Sequence, residues 1–414
     1  MKPERMKGII NECLREVRKQ ASSEKKPDDR YISGILNRYL RGIPAFRDLK
    51  VSERRYVRRQ VVNSILYWDV LTDLLEDDAV SEIMVNGPDK IYIERRGRLY
   101  LSSIRFRCRE DAEEIARRII PGISFATPIG NARLPQGYRV NVVREPIALD
   151  SPIITIRKFS KQAMSIEMLI QYKSITREVA DQLEKLVRAK YNIFVSGGTG
   201  SGKTTFLNAL SNFIPRKERV ITIEDPAELQ LNSVDNLVRL ETRTANPSSA
   251  GQEKAITIQD LIKSALRMRP DRIVVGEVRG AEALDMLQAM NTGHEGSMST
   301  GHANSCRGML RRLESLVLSG EAGGKLPVPV IRTQIAESLD LMIHLGRLRD
   351  KSRRVLEINE VLDVEDGEIT LNPIYRFRET GTDPAGRIIG ILERTENSFQ
   401  NVEKLRFAGI FEDI

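Results

Sequence analysis

The sequence predicts an α/β protein. A mostly parallel sheet with helices on both faces is preceded by a smaller mixed α/β domain and by a helical, basic N-terminal segment. Three observations predict this. From about residue 173, strand-like runs at Asn192–Ser196, Arg219–Ile223, Leu237–Leu240 and Arg272–Gly276 alternate with helical stretches, the pattern of parallel βαβ units. A glycine-rich run at 197–204 stands where one of those strands turns into a helix. Residues 80–158 instead carry short strands around a single helix. The expected boundaries are 1–79 for the N-terminal segment, 80–160 for the small domain, 161–175 for a linker and 176–414 for the larger domain with its C-terminal hairpin and tail.

The elements follow in order. Arg54 to Leu75 sets Val57, Val61, Ile65 and Leu66 at helical spacing, and Trp68 and Leu71 extend that apolar surface. Ser22 to Arg30 has loop composition. Ile91–Ile93 and Leu99–Leu101 flank Arg96-Gly97 as a strand-turn-strand. Glu110 to Ile120 is a helix with Ala112, Ile115, Ala116 and Ile119 on one face, and Tyr138–Val142 and Ile153–Ile156 are strands. Thr176 caps a helix carrying Val179, Leu183, Leu186 and Val187, and Thr257-x-x-Asp260 forms a capping box. Arg354–Val364 and Glu368–Tyr375 flank Asp366-Gly367 and form a hairpin on the edge of the larger sheet.

Composition narrows the class. With 414 residues and 41% apolar content the chain has material for real cores. It has no run of about 18 apolar residues, which removes a spanning helix, and no secretory leader pattern at Met1-Lys2-Pro3. Cys13, Cys108 and Cys306 lie far apart with no metal-type spacing, as in a reduced, cytoplasmic protein. The net charge of +8 is uneven: residues 1–60 hold 17 Lys/Arg against 8 Asp/Glu, and the rest of the chain 48 against 49. Such a segment suits anionic lipid, nucleic acid or an acidic partner, or is simply a solvated arm.

The chemistry is concentrated in 197–204, Gly197-Gly198-Thr199-Gly200-Ser201-Gly202-Lys203-Thr204, with Thr205 following. It has the order G-x-x-x-x-G-K-[ST], after an apolar strand and opening a helix through Phe206, Leu207 and Leu210, which is the context that pattern requires. The glycines let successive N–H groups point at phosphate oxygens, Lys203 places charge on the β- and γ-phosphates, and the Thr204 hydroxyl suits Mg²⁺. The loop implies a bound nucleoside triphosphate. Arg272–Gly276 ends a buried strand just before Glu277, where a carboxylate that polarises the attacking water belongs. Glu224-Asp225-x-x-Glu228 also follows a strand, and is placed to reach Mg²⁺ through water or to share the base role. His294 and His302 fall in one short window with no paired cysteines, which argues against zinc and for imidazoles that hydrogen-bond phosphate.

These residues resemble the secretion-superfamily ATPases that power type II and type IV secretion and type IV pilus machines, and among them the CpaF type of Tad/Flp pilus assembly. The phosphate loop, the acidic box Thr222–Pro226, the strand box from Leu266-Arg267-Met268-Arg269-Pro270-Asp271 to Gly276-Glu277-Val278-Arg279, and the histidine box from Gly293-His294-Glu295-Gly296 to His302-Ala303 occur in the family's order. Similarity runs from about Val80, including Glu82–Gly87 and Thr155–Phe159, to the end. The resemblance implies a RecA-like ATPase domain behind a PAS-like N-terminal domain. It also implies a homo-hexameric ring using ATP and Mg²⁺ and an inner-membrane platform protein as partner, at the cytoplasmic face of the cell membrane. It assigns Lys203 and Thr204 to phosphate and Mg²⁺, Glu277 and Glu224 to the acidic positions and His294 and His302 to the histidine box. Arg139 and Arg157 match N-terminal-domain arginines that approach the phosphates. Arg144-Glu145 departs from the family's uncharged strand end, and the cysteine quartet of some pilus-extension ATPases is missing.

The leading expectation is a motor for pilus assembly or secretion. Its alternative is the same enzyme in a conjugation-like type IV apparatus. A RecA-like nucleic-acid motor is disfavoured because the basic excess is confined to residues 1–60, so no direct nucleic-acid contact is expected. A small-molecule kinase is disfavoured because the position of Glu277 suits water activation.

Overall fold

The computed structural model describes residues 3–21, 24, 27–95, 97–158, 164–243 and 254–411. Arg96 of the expected turn, positions 22, 23, 25 and 26 of the expected loop, Phe159, and 161–163 of the expected linker lie outside the described residues. The chain divides into two compact units, Met1–Lys161 and Gln162–Ile414.

The first unit begins with α1 (Pro3–Ala21), α2 (Asp29–Gly42), α3 (Pro44–Arg47), α4 (Val51–Leu66) and α5 (Leu71–Glu76). Asp28 caps α2 by accepting from Tyr31 N–H, and Glu53 caps α4 by accepting from Lys50 N–H. Their apolar stripes meet in one core, with Cys13 and Val17 of α1, Ile32 and Leu36 of α2 and Val57 and Val61 of α4 all buried. The basic segment is therefore a folded helical bundle and not an arm, because its cations lie on faces opposite an apolar stripe. The expected continuous apolar surface from Arg54 to Leu75 is two helices. The chain breaks at Asp69, which takes a left-handed φ of 51° and donates its N–H to Asn63 O. Among the described residues no helix is long and apolar enough to cross a membrane.

A six-stranded sheet follows, made of β1 (Val80–Asn86), β2 (Ile91–Arg95), β3 (Arg98–Leu101), β4 (Ile129–Arg133), β5 (Arg139–Val143) and β6 (Ile153–Arg157). Its order is β3-β2-β1-β6-β5-β4, with every pairing antiparallel. Helix α6 (Arg109–Ile119) buries Ala112, Ile115, Ala116 and Ile119 in the same core as Ile83, Val85, Val140 and Ile156. Arg107 joins this sheet domain to the bundle, 3.0 Å from Asp69 and 2.8 Å from Asp111. The unusual Arg144 and Glu145 both pair with α6, Arg144 with Glu113 and Glu145 with Arg109.

The second unit opens with α7 (Ile166–Gln171), inside the expected linker. It is capped by Ser165, which accepts from Met168 N–H, and it buries Ile166 and Leu169 in the core. Then come α8 (Arg177–Arg188), β7 (Ile193–Gly197), α9 (Lys203–Ser211), β8 (Arg219–Glu224), β9 (Asn236–Glu241), α10 (Ile258–Ala265), β10 (Arg272–Val275), α11 (Glu282–Asn291), β11 (Met298–Gly301), α12 (Cys306–Leu318), α13 (Val328–Ser338), β12 (Leu341–Arg347), β13 (Arg353–Glu365), β14 (Glu368–Thr382), β15 (Ile388–Arg394) and α14 (Glu403–Phe407). The strand order is β15-β14-β13-β12-β7-β11-β10-β8-β9. It is parallel from β12 to β9 and antiparallel from β12 outward to β15. Along β7, Ile193 and Val195 enter one core and Phe194 the other, so helices cover both faces.

Candidate functional site

The phosphate loop grows out of the centre of the larger sheet. β7 is buried throughout and ends at Gly197, where a Cβ would stand 2.5 Å from both Leu345 O and Ser201 Oγ. Only glycine fits there. Gly202 takes φ 96° and hands the chain to α9, whose first N–H groups have no partner within the helix and form an anion site. Lys203 folds back over the loop, donating to Gly197 O at 3.0 Å and Gly198 O at 3.2 Å. Burial holds its ammonium below the usual lysine range. Thr204 and Thr205 stand half-buried on the first turn of α9, where the Thr204 hydroxyl suits Mg²⁺.

The second set of groups comes from the carboxyl ends of β10 and β11, which are neighbours. Glu277 follows β10, and His302 follows β11. His302 Nε2 lies 2.8 Å from Glu277 Oε1, while Arg279 Nη2 lies 2.8 Å from Glu277 Oε2. His302 Nδ1 is 3.3 Å from Lys203 Nζ. Burial first, then Lys203, holds the His302 imidazole below its ordinary value, so it is neutral near pH 7. The tautomer that suits both neighbours carries its proton on Nε2 and accepts from Lys203 at Nδ1. The result is a short polar chain from Lys203 through His302 to Glu277, steadied by Arg279. It sets a carboxylate close to Lys203, an arrangement able to orient water for attack on a phosphate bound there.

Other expected residues lie elsewhere. Glu224 ends β8 and is 2% exposed. Its Oε2 accepts from Glu228 N–H at 2.5 Å and Leu229 N–H at 2.7 Å, and burial raises its pKa. It seats the turn after β8 through that oxygen, while its Oε1 is buried with no hydrogen-bond partner among the described residues. It stands close to the strand that delivers Glu277, since a Cβ at Gly276 would lie 3.2 Å from Glu224 Cγ. His294 lies away from the phosphate loop. It precedes β11, whereas His302 follows it, and the parallel pairing of β11 with β7 puts the phosphate loop at the His302 end. Asn192, just before β7, accepts from Gly296 and Ser297 N–H and fixes the His294 turn at the opposite end of these central strands. In the first unit Arg139 and Arg157 are directly opposite on β5 and β6. Arg133 extends the row on β4 and Glu82 on β1.

One neighbour of the phosphate loop escaped the sequence reading, the third histidine. His344 on β12 is 5% exposed, its Nδ1 is 2.9 Å from the Oγ of Ser196 just before the phosphate loop, and burial lowers its pKa. Set in the apolar run Leu341–Leu345, it has no local motif to mark it. Only its register opposite Ser196 reveals it.

A phosphate loop on a RecA-like sheet, with a carboxylate and an imidazole converging on its lysine, defines a P-loop ATPase. Residues 69–401 match the family model described as type II/IV secretion system protein. The chain belongs to that family and is an ATP-hydrolysing member of it. It is 34% identical over 307 residues to the conjugal transfer protein TrbB of Rhizobium radiobacter, covering 70% of this chain and 86% of that one. It is likewise 34% identical over 300 residues to the type IV secretion system protein VirB11 of Brucella suis, covering 66% and 82%. In fold it is similar to the Legionella pneumophila ATPase DotB, with a TM-score of 0.52 at 21% identity, over 72% of this chain and 80% of that one.

Proposed function

We propose that this chain is the ATPase of a conjugation-like type IV secretion apparatus. The observation that carries the reading is its similarity over most of its length to a conjugal transfer protein and to a type IV secretion system protein. These relatives favour the conjugation-like machine over the Tad/Flp pilus assembly motor that the sequence motifs put first. In this reading the chain works as a homo-hexamer in the cytoplasm, peripheral at the inner face of the cell membrane and against an inner-membrane platform protein, with the basic bundle of residues 1–60 turned to anionic lipid.

Lys203 binds the β- and γ-phosphates, and Glu277 orients and polarises the attacking water while His302 holds the carboxylate in register. The donor set fits Mg²⁺ held by the Thr204 hydroxyl, water and the nucleotide's own oxygens, a mode that needs no protein cage. Among the described residues no cluster of three His, Cys, Asp or Glu could hold a metal alone. Bound Mg²⁺ would neutralise charge on the phosphates. Arg139 and Arg157 are proposed as phosphate-binding arginines, a role for which a guanidinium is well shaped.

The test has two arms. ATPase rate is measured against protein concentration with mass determination in parallel, and specific activity should rise as a six-subunit species appears. A monomer turning over at full rate at every concentration would sink the ring. In the host, replacing the gene with Lys203→Ala should abolish conjugative transfer and leave surface pili unchanged. Lost pili with normal transfer would restore the pilus reading.

A further inference from the structure

The hairpin joining β12 to β13 stands on the side of the phosphate loop away from Glu277 and His302. β12 is the neighbour of β7 on one side, and β11 and β10 lie on the other. The strands register so that Leu345 pairs with Gly197 and Arg347 pairs with Arg353. Two guanidinium side chains therefore rise just beyond the level where the loop begins. Arg353 is committed: its Nε donates to Gly200 O at 2.8 Å, and its Cδ lies 3.3 Å from where a Gly202 Cβ would be. It holds the crest of the loop from outside. Other cations of the hairpin are also engaged, Arg349 with Glu379 and buried Arg354 with Lys173 O. Arg347 differs. Its Nη1 is 4.0 Å from where a Gly200 Cβ would be, it is exposed, and its side chain has no hydrogen-bond or ion-pair partner among the described residues.

The direction of a bound nucleotide follows from the loop. Lys203, His302 and Glu277 fix the terminal phosphate on the β10–β11 side, so a triphosphate laid along the loop carries its nucleoside end toward the β12–β13 hairpin. Resting on the ATPase reading, we propose that Arg347 is a nucleotide-binding residue that recognises the nucleoside end of ATP, with its guanidinium against the α-phosphate and the base. Arginine suits this position because its planar fork both pairs with phosphate oxygens and stacks on a ring face. The contact is made equally to ground and transition state, so it should govern affinity and leave the chemical step alone.

The experiment compares binding of ATP and of inorganic pyrophosphate to the full chain and to Arg347→Ala, with steady-state turnover alongside. ATP should bind about tenfold more weakly to the variant, as for a lost charge-assisted contact, with KM raised and kcat little changed. Pyrophosphate, which fills only the two terminal positions and has neither an α-phosphate nor a base, should bind both proteins alike. Unchanged ATP affinity would overturn the proposal. So would an equal loss for ATP and pyrophosphate, which would place Arg347 on the terminal phosphates. Arg347 is exposed, so the variant should fold, and an unaltered unfolding curve checks it. Failure of the unsubstituted chain to bind ATP would instead overturn the ATPase reading, a separate and recognisable result.

Discussion

His302 and Glu277 stand 2.8 Å apart, Nε2 to Oε1, on loops leaving adjacent strands. Arg279 occupies the other oxygen of the same carboxylate. Arg279 hydrogen-bonds Glu277, and His302 stands against its other oxygen, which is buried with no hydrogen-bond partner among the described residues, so the carboxylate is placed before any substrate arrives.

Glu277→Gln keeps the shape and removes the charge. It should bind ATP with near-normal affinity and hydrolyse it about 10²- to 10⁴-fold more slowly, so that nucleotide stays bound through gel filtration. Single-turnover rates and retained nucleotide measure this.

Glu224→Gln is the matching control. Its carboxamide oxygen still accepts from Glu228 and Leu229, so hydrolysis should fall far less than in Glu277→Gln. Glu224→Ala leaves those two N–H groups without an acceptor and should lower stability by about 1–3 kcal/mol. A hydrolysis defect in Glu224→Gln as deep as that of Glu277→Gln would make Glu224 the base.

Lys203→Ala removes the ammonium that spans Gly197 O, Gly198 O and His302. Hydrolysis should be abolished and nucleotide affinity greatly weakened, as titration with a fluorescent ATP analogue would read. Near-normal turnover would refute the phosphate-loop assignment.

Burial holds the His344 imidazole below its ordinary value of 6.5. The unfolded chain therefore binds that proton at higher pH than the folded one. Between the lowered value and 6.5 the unfolded state carries more protons, so this group makes stability fall as pH drops through that window and costs nothing above it. Buried carboxylates with raised values, Glu224 and Asp340, act in the opposite sense. The measurement is accordingly a difference: between about pH 7 and about pH 5 the unfolding midpoint of the unsubstituted chain should fall relative to that of His344→Gln. Parallel curves would show that His344 does not titrate differently on folding.

In the first unit, Arg107 and Asp69 form a pair whose side chains are 12% and 4% exposed. Arg107→Ala leaves Asp69 buried without its counter-ion and should cost about 3–5 kcal/mol. Denaturant unfolding of the full chain should show the loss in the transition of the first unit.

What was legible in the sequence was written locally. The phosphate loop, the Thr176 and Thr257 caps and the Asp366-Gly367 turn each depend on residues within a few positions of one another. What depended on pairing across the chain was not. β4, Ile-Gly-Asn-Ala-Arg, has no strand composition and exists because β5 pairs with it. β15 is likewise fixed by β14. α7 sits where a linker was expected, because a short capped helix with two apolar residues looks like a loop until its core is known. His294 and His302 are close in sequence but separated by the length of β11, a distance that spacing alone conceals. His344 gains its meaning only from Ser196 on another strand.

The central position of β7 has one more consequence. Both of its neighbours, β11 and β12, come from far along the chain, whereas β13, β14 and β15 pair with strands adjacent in sequence. Contacts between distant segments are the slow, entropically costly ones. The strand bearing the phosphate loop is thus the keystone of the sheet, set among partners that must already have been gathered. A nucleotide gripped by that loop fastens the late-formed middle of the sheet, and occupancy should slow its coming apart as well as hold it shut.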